Sequence, residues 1–410
     1  MVLGECLMYG LDFEARCLAS VSGDESGVRF LVGTQNIKMD NQICELTVDL
    51  DENRVNARCF GHSIGEVREL ATSPDDPQIF ATASSDFRHP KAKHRLNIYS
   101  YSEYKPTLEE KASLECDHPI IGLEWSVASS SLSCIAGNQL TLYNVAGDGL
   151  KEQFSHHQPG KLHTFRRSPH SDGQLIALAV DRDLIVVDSR TNEPTTRICE
   201  AHVFRCLAVD FNPNLPNLLA TGGDEGALRI WDLRQPKAAI FCTRPHSHWV
   251  TQVRYHQVHD QLLLTGSSDA CVVLNCAQSV SSDAQIDASA ERDDDGEPLA
   301  KLTDGELDRI NEHEDTVSAV EWSSADPWIY ASLSYDGRVV INRVAHALKK
   351  GAVVVAGVFI GAAVVNSVFQ PMKGYEEELS AKKALLLEKY RQRHEMRICN
   401  GYVPMIDAER

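Results

Sequence analysis

The sequence lacks the short motifs that mark common enzyme active sites. Its 410 residues contain no GxSxG nucleophile elbow, no P-loop and no HExxH zinc motif. Gly222 and Gly223 precede an alternating apolar run rather than a helix, so they are predicted to form a turn and not a phosphate cradle. These absences predict a protein that is not an enzyme and that uses no cofactor.

Positive charge is also scarce. The chain has 40 Lys and Arg residues against 58 Asp and Glu residues, which gives a net charge of −18 and a pI near 5.3. A phosphate backbone repels a chain of this charge. Nucleic acid is therefore not expected as a partner.

Features of secreted proteins are missing as well. Glu5 and Asp12 stand where a signal peptide would have its apolar core. The 12 cysteines include no CxxC pair. These two observations predict a cytosolic protein whose cysteines are reduced.

The chain does contain a repeat. The stretch TGGDEGALRIWDLR, residues 221–234, reads as a glycine turn followed by a half-buried strand. Apolar runs of the same kind recur at intervals of about 44 residues, with longer gaps at two places. They fall at or near Glu45, Ser100, Asn144, Asp188, Asp232, Asn275 and Asn342. Seven units are therefore predicted.

A period of about 40 to 45 residues with four short strands in each unit is typical of a β-propeller. The units share an opening histidine, an acid in the turn before the third strand and, in one unit, a Trp-Asp pair. These positions are His202, His246 and His313, then Glu225, Asp269 and Asp336, then Trp231 and Asp232. They resemble the WD40 repeat family, in which the histidine and the turn acid join the strands of a blade. The predicted fold is an all-β, seven-bladed WD40-type propeller over residues 5–350.

An acidic insertion interrupts the repeat between the sixth and seventh units. Residues 283–308 include Asp293, Asp294 and Asp295 within a strongly negative run. Such a run cannot bury enough apolar surface to fold alone, so a disordered loop is predicted. The loop is either a tolerated insertion or a docking strip for a basic partner.

The end of the chain also departs from the repeat. Residues 351–372 contain no charged side chain, and their number approaches the length of a bilayer-spanning helix. Residues 373–410 are predicted to form a charged helical tail. The expectation is a membrane-inserted helix that leaves the propeller in the cytosol, and the alternative is a buried or loosely attached apolar helix. The orientation of a span stays open. Residues 353–355 are candidates for the outer strand of the seventh blade.

Four histidines stand close together in the stretch HSHWVTQVRYHQVHD. A zinc site needs ligands that converge on one point. His246 already has a place in the repeat, and His256 and His259 follow the inner strand at the other end of the blade. No metal site is therefore predicted.

Loop residues supply the candidate partner contacts. His248, Trp249 and Tyr335 are predicted near one rim of the propeller, and Asp326 and Trp328 are predicted on the opposite side. Exposed aromatic side chains are favoured anchors in protein interfaces. The alternative is that Trp249 and Trp328 pack between blades.

Several stretches closely resemble one group of WD40 propellers. These are PHSHWVTQVRYHQVHDQLLLTGSSD, EHEDTVSAVEWSSADPWIYASLSYDGRVVINRV and, near the start, YGLDFEARCLA. They are similar to the propellers that interact with the endosome-associated recycling (EARP) and Golgi-associated retrograde (GARP) tethering complexes. The resemblance runs from Tyr9 to about Lys350 and is weak over residues 89–161.

The resemblance implies a non-catalytic, monomeric adaptor that binds protein subunits of these tethers. It further implies recruitment of the tethers to the cytoplasmic face of endosomes and the trans-Golgi network. The processes served would be endosome-to-Golgi retrograde transport, endocytic recycling and dense-core vesicle maturation. The alternative is an adaptor of another machine, either a ubiquitin-ligase substrate receptor or a histone-binding chaperone.

Overall fold

The computed structural model of the chain describes residues 6–22, 27–50, 52–88, 91–102, 105–126, 131–146, 149–282, 284 and 302–345. The strands in chain order are β1 (Cys6–Gly10), β2 (Ala15–Ser20), β3 (Val28–Thr34), β4 (Asn41–Asp49), β5 (Arg54–His62), β6 (Glu66–Thr72), β7 (Ile79–Asp86), β8 (Lys93–Ser102), β9 (Lys105–Cys116), β10 (Ile120–Trp125), β11 (Ser131–Ala136), β12 (Gln139–Ala146), β13 (Gly149–His157), β14 (Leu162–Arg167), β15 (Leu175–Val180), β16 (Asp183–Asp188), β17 (Glu193–Ile198), β18 (Cys206–Phe211), β19 (Leu218–Gly223), β20 (Leu228–Asp232), β21 (Phe241–Thr243), β22 (Val250–Tyr255), β23 (Leu262–Ser267), β24 (Val272–Cys276), β25 (Gly305–Ile310), β26 (Val317–Trp322), β27 (Ile329–Ser334) and β28 (Arg338–Arg343). Short 3₁₀ turns lie at Ser171–Gly173 and Gln278–Val280.

The strands form seven antiparallel sheets of four strands each. Blades 1 to 6 contain β2–β5, β6–β9, β10–β13, β14–β17, β18–β21 and β22–β25, and blade 7 contains β26, β27, β28 and β1. The inner strand of each blade contacts the inner strand of the next, and β26 contacts β2, so the ring closes. The predicted seven-bladed propeller is confirmed.

Burial explains why the repeat is visible in the sequence. The second strand of a blade, such as β19 with the sequence LLATGG, is buried at every position because a neighbouring blade covers each face. Outer strands such as β13 are mostly exposed or half-buried. The recurrent apolar runs are therefore the middle strands of successive blades.

The seventh blade is closed by the start of the chain. Strand β1 pairs antiparallel with β28, with Cys6 opposite Asn342 and Gly10 opposite Arg338. The candidate outer strand at residues 353–355 lies outside the described residues, and β1 occupies the fourth position of the sheet. Pairing the two ends of the propeller in one sheet leaves the ring without an open seam.

The acidic insertion is shorter than predicted. Strand β25 pairs with β24 as the outer strand of blade 6, so the last four residues of the predicted loop 283–308 belong to a sheet. The Asp304 carboxylate also accepts a hydrogen bond from the Ser279 N–H at 2.9 Å. Asp293, Asp294 and Asp295 lie outside the described residues.

Replacement of residues 285–301 by a Gly-Ser linker of equal length is expected to leave the melting temperature nearly unchanged. The acidic run offers few apolar groups that could contribute to the core. Thermal unfolding of the two proteins checks this expectation. A matched deletion of residues 283–308 should lower the melting temperature clearly, because it removes most of β25. Equal melting temperatures for both variants would contradict this account of blade 6.

Blade 1 contains a disulfide that was not expected from the sequence. Cys44 on β4 and Cys59 on β5 face each other directly in the strand register, with their Cα atoms 4.0 Å apart and their sulfurs bonded. The expectation that all cysteines are reduced is therefore not met at this pair. Spacing along the sequence could not show it, because the contact depends on the register of two paired strands.

The C-terminal expectations concern residues that the structure does not describe. The chain divides into two units, Met1–Ala356 and Gly357–Arg410, and the second lies wholly outside the described residues. The predicted apolar helix over 351–372 and the predicted charged helix over 373–410 also lie outside the described residues. Within the described ranges, none of the helices has the length and apolar character needed to cross a bilayer.

Candidate partner-binding face

Two kinds of loop form one end of the propeller, which we call the upper face. One kind leads into the inner strand of each blade, and the other joins the second strand to the third. Of the exposed large apolar side chains among the described residues, six lie on these loops: Ile37, Met39, Phe87, Val203, Phe204 and Trp249. The upper face is therefore the more apolar end of the ring.

A hydrogen-bonded chain fixes the upper end of blade 5. The His202 Nδ1 atom lies 2.8 Å from a Glu225 carboxylate oxygen, and its Nε2 atom lies 2.8 Å from the Thr221 hydroxyl. The Trp231 indole N–H donates to the same hydroxyl at 2.9 Å. With the Nδ1 proton donated to Glu225, Nε2 accepts from Thr221, so each group in the chain has a partner.

The glycine pair of blade 5 has a different role from the predicted turn. Gly222 and Gly223 lie at the end of β19, and the residue with positive φ is Gly226, at 82°. A Cβ atom on Gly223 would lie 2.1 Å from His202 Nδ1. The glycine therefore leaves room for the histidine to cross the sheet.

The same arrangement recurs with variations in the next two blades. In blade 6, His246 lies 3.2 Å from Asp269 and 2.8 Å from the Thr265 hydroxyl. In blade 7, His313 lies 2.8 Å from the Ser332 hydroxyl, whereas Asp336 accepts from the backbone N–H groups of Glu314 and Arg338. At the other end of blade 5, Asp232 accepts from the Arg234 side chain. These side chains join strands and loops within a blade.

Buried histidines give the fold a dependence on pH. Burial lowers the pKa of His62 and of His313 to about 4, and it lowers the pKa of His256 well below its usual range. As the pH falls, a histidine of lowered pKa is protonated in the unfolded chain before it is protonated in the folded one. Its contribution to the free energy of unfolding is therefore complete above about pH 6.5 and is lost as the pH drops toward 4. Glu69, whose pKa burial raises to about 6, acts in the opposite direction.

The free energy of unfolding is therefore expected to fall between pH 7 and pH 5 by about 2 kcal/mol for each of His62 and His313, with a smaller offset from Glu69. Denaturant unfolding at the two pH values measures the difference. His62→Gln should reduce the pH dependence relative to the unchanged chain. An identical slope in the two proteins would contradict the assignment.

Trp249 is exposed on the upper face, at 41% of its full accessible area. The Arg205 guanidinium lies over its ring at 4.6 Å from the centroid, and Asp224 holds that guanidinium at 3.1 Å. Val203 and Phe204, at 53% and 69% exposed, stand on the adjacent loop of blade 5. We call Val203, Phe204, Arg205 and Trp249 the Trp249 patch.

The position of Trp249 on this rim was predictable from the sequence, whereas Val203, Phe204 and Arg205 were not predicted there. The signal was available in the residues that follow each opening histidine. Blade 7 has Glu-Asp-Thr there, as a solvated loop tip would, whereas blade 5 has Val203, Phe204 and Arg205. An apolar pair at a loop tip is a marker of an interaction surface.

The other two candidates of the upper face differ in their relation to this patch. His248 is exposed, and its ring lies 5.0 Å from that of Trp249. Tyr335 is half-buried in the corresponding turn of blade 7, where its backbone N–H donates to the Thr316 carbonyl at 3.2 Å. His248 can therefore extend a contact surface that is centred on Trp249.

Trp328 does not belong to any exposed surface. It is 6% exposed, and its ring stacks on His259 at 4.8 Å, beside His256. Asp326 accepts a hydrogen bond from the Trp328 N–H at 2.9 Å, which folds this loop back toward the core. Of the two alternatives for Trp328, the structure shows packing between blades, because the lower loop of blade 7 packs against the histidines that follow the inner strand of blade 6.

The four clustered histidines are divided between the two ends of blade 6. His246 and His248 lie on the upper face. His256 and His259 lie at the opposite end of the blade, where their rings contact Trp322 and Trp328. Within the described part of the chain, no group of three or more His, Cys, Asp or Glu side chains is placed to hold a metal ion.

In five consecutive blades, a charged side chain occupies the same position of the inner strand. The sign of the charge alternates from one blade to the next. These residues are Glu124, Arg166, Asp210, Arg254 and Glu321. Arg254 and Glu321 are 3.1 Å apart, and Asp210 accepts from the Tyr255 N–H of the next blade at 2.7 Å. Burial raises the pKa of Asp210, and Arg166 opposes the shift. These contacts between blades support a rigid platform.

Comparison with known proteins places this chain among propellers of one kind. The sequence profile of the family described as EIPR1 beta-propeller matches residues 4–275, and the profile described as WD domain, G-beta repeat matches residues 305–341. The chain belongs to the EIPR1 beta-propeller family. The two matched regions lie on either side of the acidic insertion.

Known proteins from animals and from a plant align with most of the chain. It is 42% identical over 356 residues to EARP-interacting protein 1 of Caenorhabditis elegans, with 83% of this chain and 97% of the relative covered. It is 35% identical to EARP and GARP complex-interacting protein 1 of Homo sapiens, covering 84% and 97%. It is also 30% identical to the WD repeat-containing protein DWA2 of Arabidopsis thaliana, covering 82% and 95%.

Proposed function

We propose that the chain is a non-catalytic adaptor that binds protein subunits of the EARP and GARP tethering complexes. The observation that carries this proposal is the 42% identity to a relative named as EARP-interacting, over 97% of that relative's length. A rigid ring with an exposed aromatic patch supports it, because loops on a rigid scaffold are suited to holding partners.

We place the tether contact on the upper face at the Trp249 patch, with His248 beside it and Tyr335 in the corresponding turn of blade 7. Tryptophan and arginine are enriched among residues that dominate binding energies. Arg205 already lies over Trp249 and is held by Asp224, so little side-chain freedom is lost on binding. The patch thus offers an ordered apolar surface with a charged edge.

The adaptor would act at the cytoplasmic face of endosomes and the trans-Golgi network, where it helps to recruit the tethers to membranes. Endosome-to-Golgi retrograde transport, endocytic recycling and dense-core vesicle maturation would depend on this recruitment. The resemblance of the sequence to tether-interacting propellers supports these roles.

Affinity purification of the full chain from cells tests the proposal. Recovery of the subunits shared by the EARP and GARP complexes supports it. Recovery of cullin adaptors without tether subunits would identify a ubiquitin-ligase receptor and overturn it. The acidic run that contains Asp293, Asp294 and Asp295 gives the histone-chaperone alternative its own support, and recovery of histones in place of tethers would favour that function.

A further inference from the structure

A second apolar group lies on the upper face, on the other side of the ring from the Trp249 patch. Ile37 and Met39, at 60% and 57% exposed, lie in the loop between the second and third strands of blade 1. Phe87, at 44% exposed, lies in the corresponding loop of blade 2. The three side chains belong to two loop tips on neighbouring blades.

Basic side chains accompany these apolar tips. Lys38 stands between Ile37 and Met39, Lys91 lies in the loop of blade 2, and Lys93 follows it as the first residue of β8. All three lysines are exposed, and none forms an ion pair with another residue in the described ranges. With Arg88, the three lysines outnumber the carboxylates of Asp40 and Asp86, so this region is positive on a chain whose net charge is −18.

Arg88 holds the two loops together. Its guanidinium lies 3.1 Å from Asp40 in the blade 1 loop and 2.9 Å from Asp86 in blade 2. It also donates to the Ser63 carbonyl at 2.6 Å, on the loop that leads into blade 2. One side chain therefore fixes three upper-face loops relative to each other.

Local contacts fix the apolar tips as well. The Asn36 side-chain oxygen accepts from the N–H groups of Lys38 and Met39 at 2.9 and 3.1 Å, which closes a tight turn. The Phe87 ring meets the His94 ring edge to face at 6.1 Å, and His94 lies 2.9 Å from the Ser85 hydroxyl. The tips are ordered before any ligand binds, which lowers the entropic cost of binding.

We propose that this basic rim, formed by Ile37, Lys38, Met39, Phe87, Arg88, Lys91 and Lys93, is a contact site for an anionic lipid bilayer. The proposal does not depend on tether binding. Apolar side chains at projecting loop tips enter the boundary between headgroups and acyl chains, and adjacent lysines are attracted to anionic headgroups.

The net negative charge of the chain does not prevent this contact. At physiological ionic strength the Debye length is about 8 Å, so charges on distant blades are largely screened at the membrane. The lysines of the basic rim would lie directly against the lipid headgroups, where this screening is weak. A separated set of projecting tips also fits a bilayer better than it fits an acidic peptide, which would need one continuous groove.

Flotation of the purified full chain with vesicles tests the proposal. We expect binding to vesicles of phosphatidylcholine and phosphatidylserine and much weaker binding to phosphatidylcholine alone. Charge reversal by Lys38→Glu, Lys91→Glu and Lys93→Glu should weaken binding by at least about fivefold for each lysine. The triple change Ile37→Ser, Met39→Ser and Phe87→Ser should weaken it by at least about tenfold.

Matched controls carry the same types of change elsewhere on the propeller. They are the double variants Met8→Ser with Leu50→Ser and Lys151→Glu with Lys237→Glu, all at exposed positions, and both should bind as the unchanged chain does. Equal binding by the rim variants and the controls would overturn the proposal, and so would equal binding to neutral and anionic vesicles. Binding to soluble polyglutamate without binding to vesicles would assign the rim to an acidic protein segment instead.

Discussion

Replacement of Trp328 by alanine is expected to lower the free energy of unfolding by about 3 to 5 kcal/mol. The indole is 6% exposed and lies against the rings of His256 and His259 at the junction of blades 6 and 7. Removing it leaves a cavity that the fixed strands around it fill only in part. Urea unfolding of the purified protein measures the loss.

Trp249→Ala is the matched control for this change. It removes the same atoms from an exposed position, so it should alter the free energy of unfolding by less than about 1 kcal/mol. If the two variants lose the same stability, the assignment of one tryptophan to the core and the other to the surface is wrong.

The double variant Phe204→Ala with Trp249→Ala is expected to reduce tether recovery in affinity purification by at least about tenfold, with an unchanged melting temperature. Exposed aromatic anchors at the centre of an interface commonly contribute 2 kcal/mol or more to binding, and the other contacts contribute little. Quantitative recovery of the shared tether subunits, normalised to the amount of bait, measures the effect.

Met8→Ala with Ile240→Ala provides the control for this variant. Both residues are exposed apolar side chains outside the Trp249 patch, at 56% and 43%. Full recovery with the patch variant and loss with this control would place the tether contact elsewhere on the propeller. A collapsed melting curve for the patch variant would show instead that these aromatic side chains stabilise the fold.

The number of blades could be predicted from the sequence because the middle strands of every blade are buried in the same way. A middle strand covered on both faces must be apolar, so runs such as LRIWD and VVLN mark successive blades. The sequence did not show that β1 closes blade 7. That pairing joins residues at opposite ends of the propeller, and nothing local to Cys6–Gly10 distinguishes it from the first strand of a new blade.

The exposure of the candidate site residues could not be predicted for the same reason, because it depends on contacts between residues that are far apart in the sequence. Spacing placed Trp249 and Trp328 on opposite loops, but whether each ring is exposed depends on neighbouring blades. Arg205 of the preceding loop lies over Trp249 and leaves it open, whereas His256 and His259 of blade 6 cover Trp328. Periodicity carries no information on these contacts.

The measurement that tests the central claim most directly is binding between the purified full chain and purified EARP and GARP complexes. The account predicts saturable binding to both complexes, lost in the Phe204→Ala, Trp249→Ala variant and retained in the Met8→Ala, Ile240→Ala control. Absence of binding by the folded, unchanged chain would contradict the claim that it is an adaptor of these tethers.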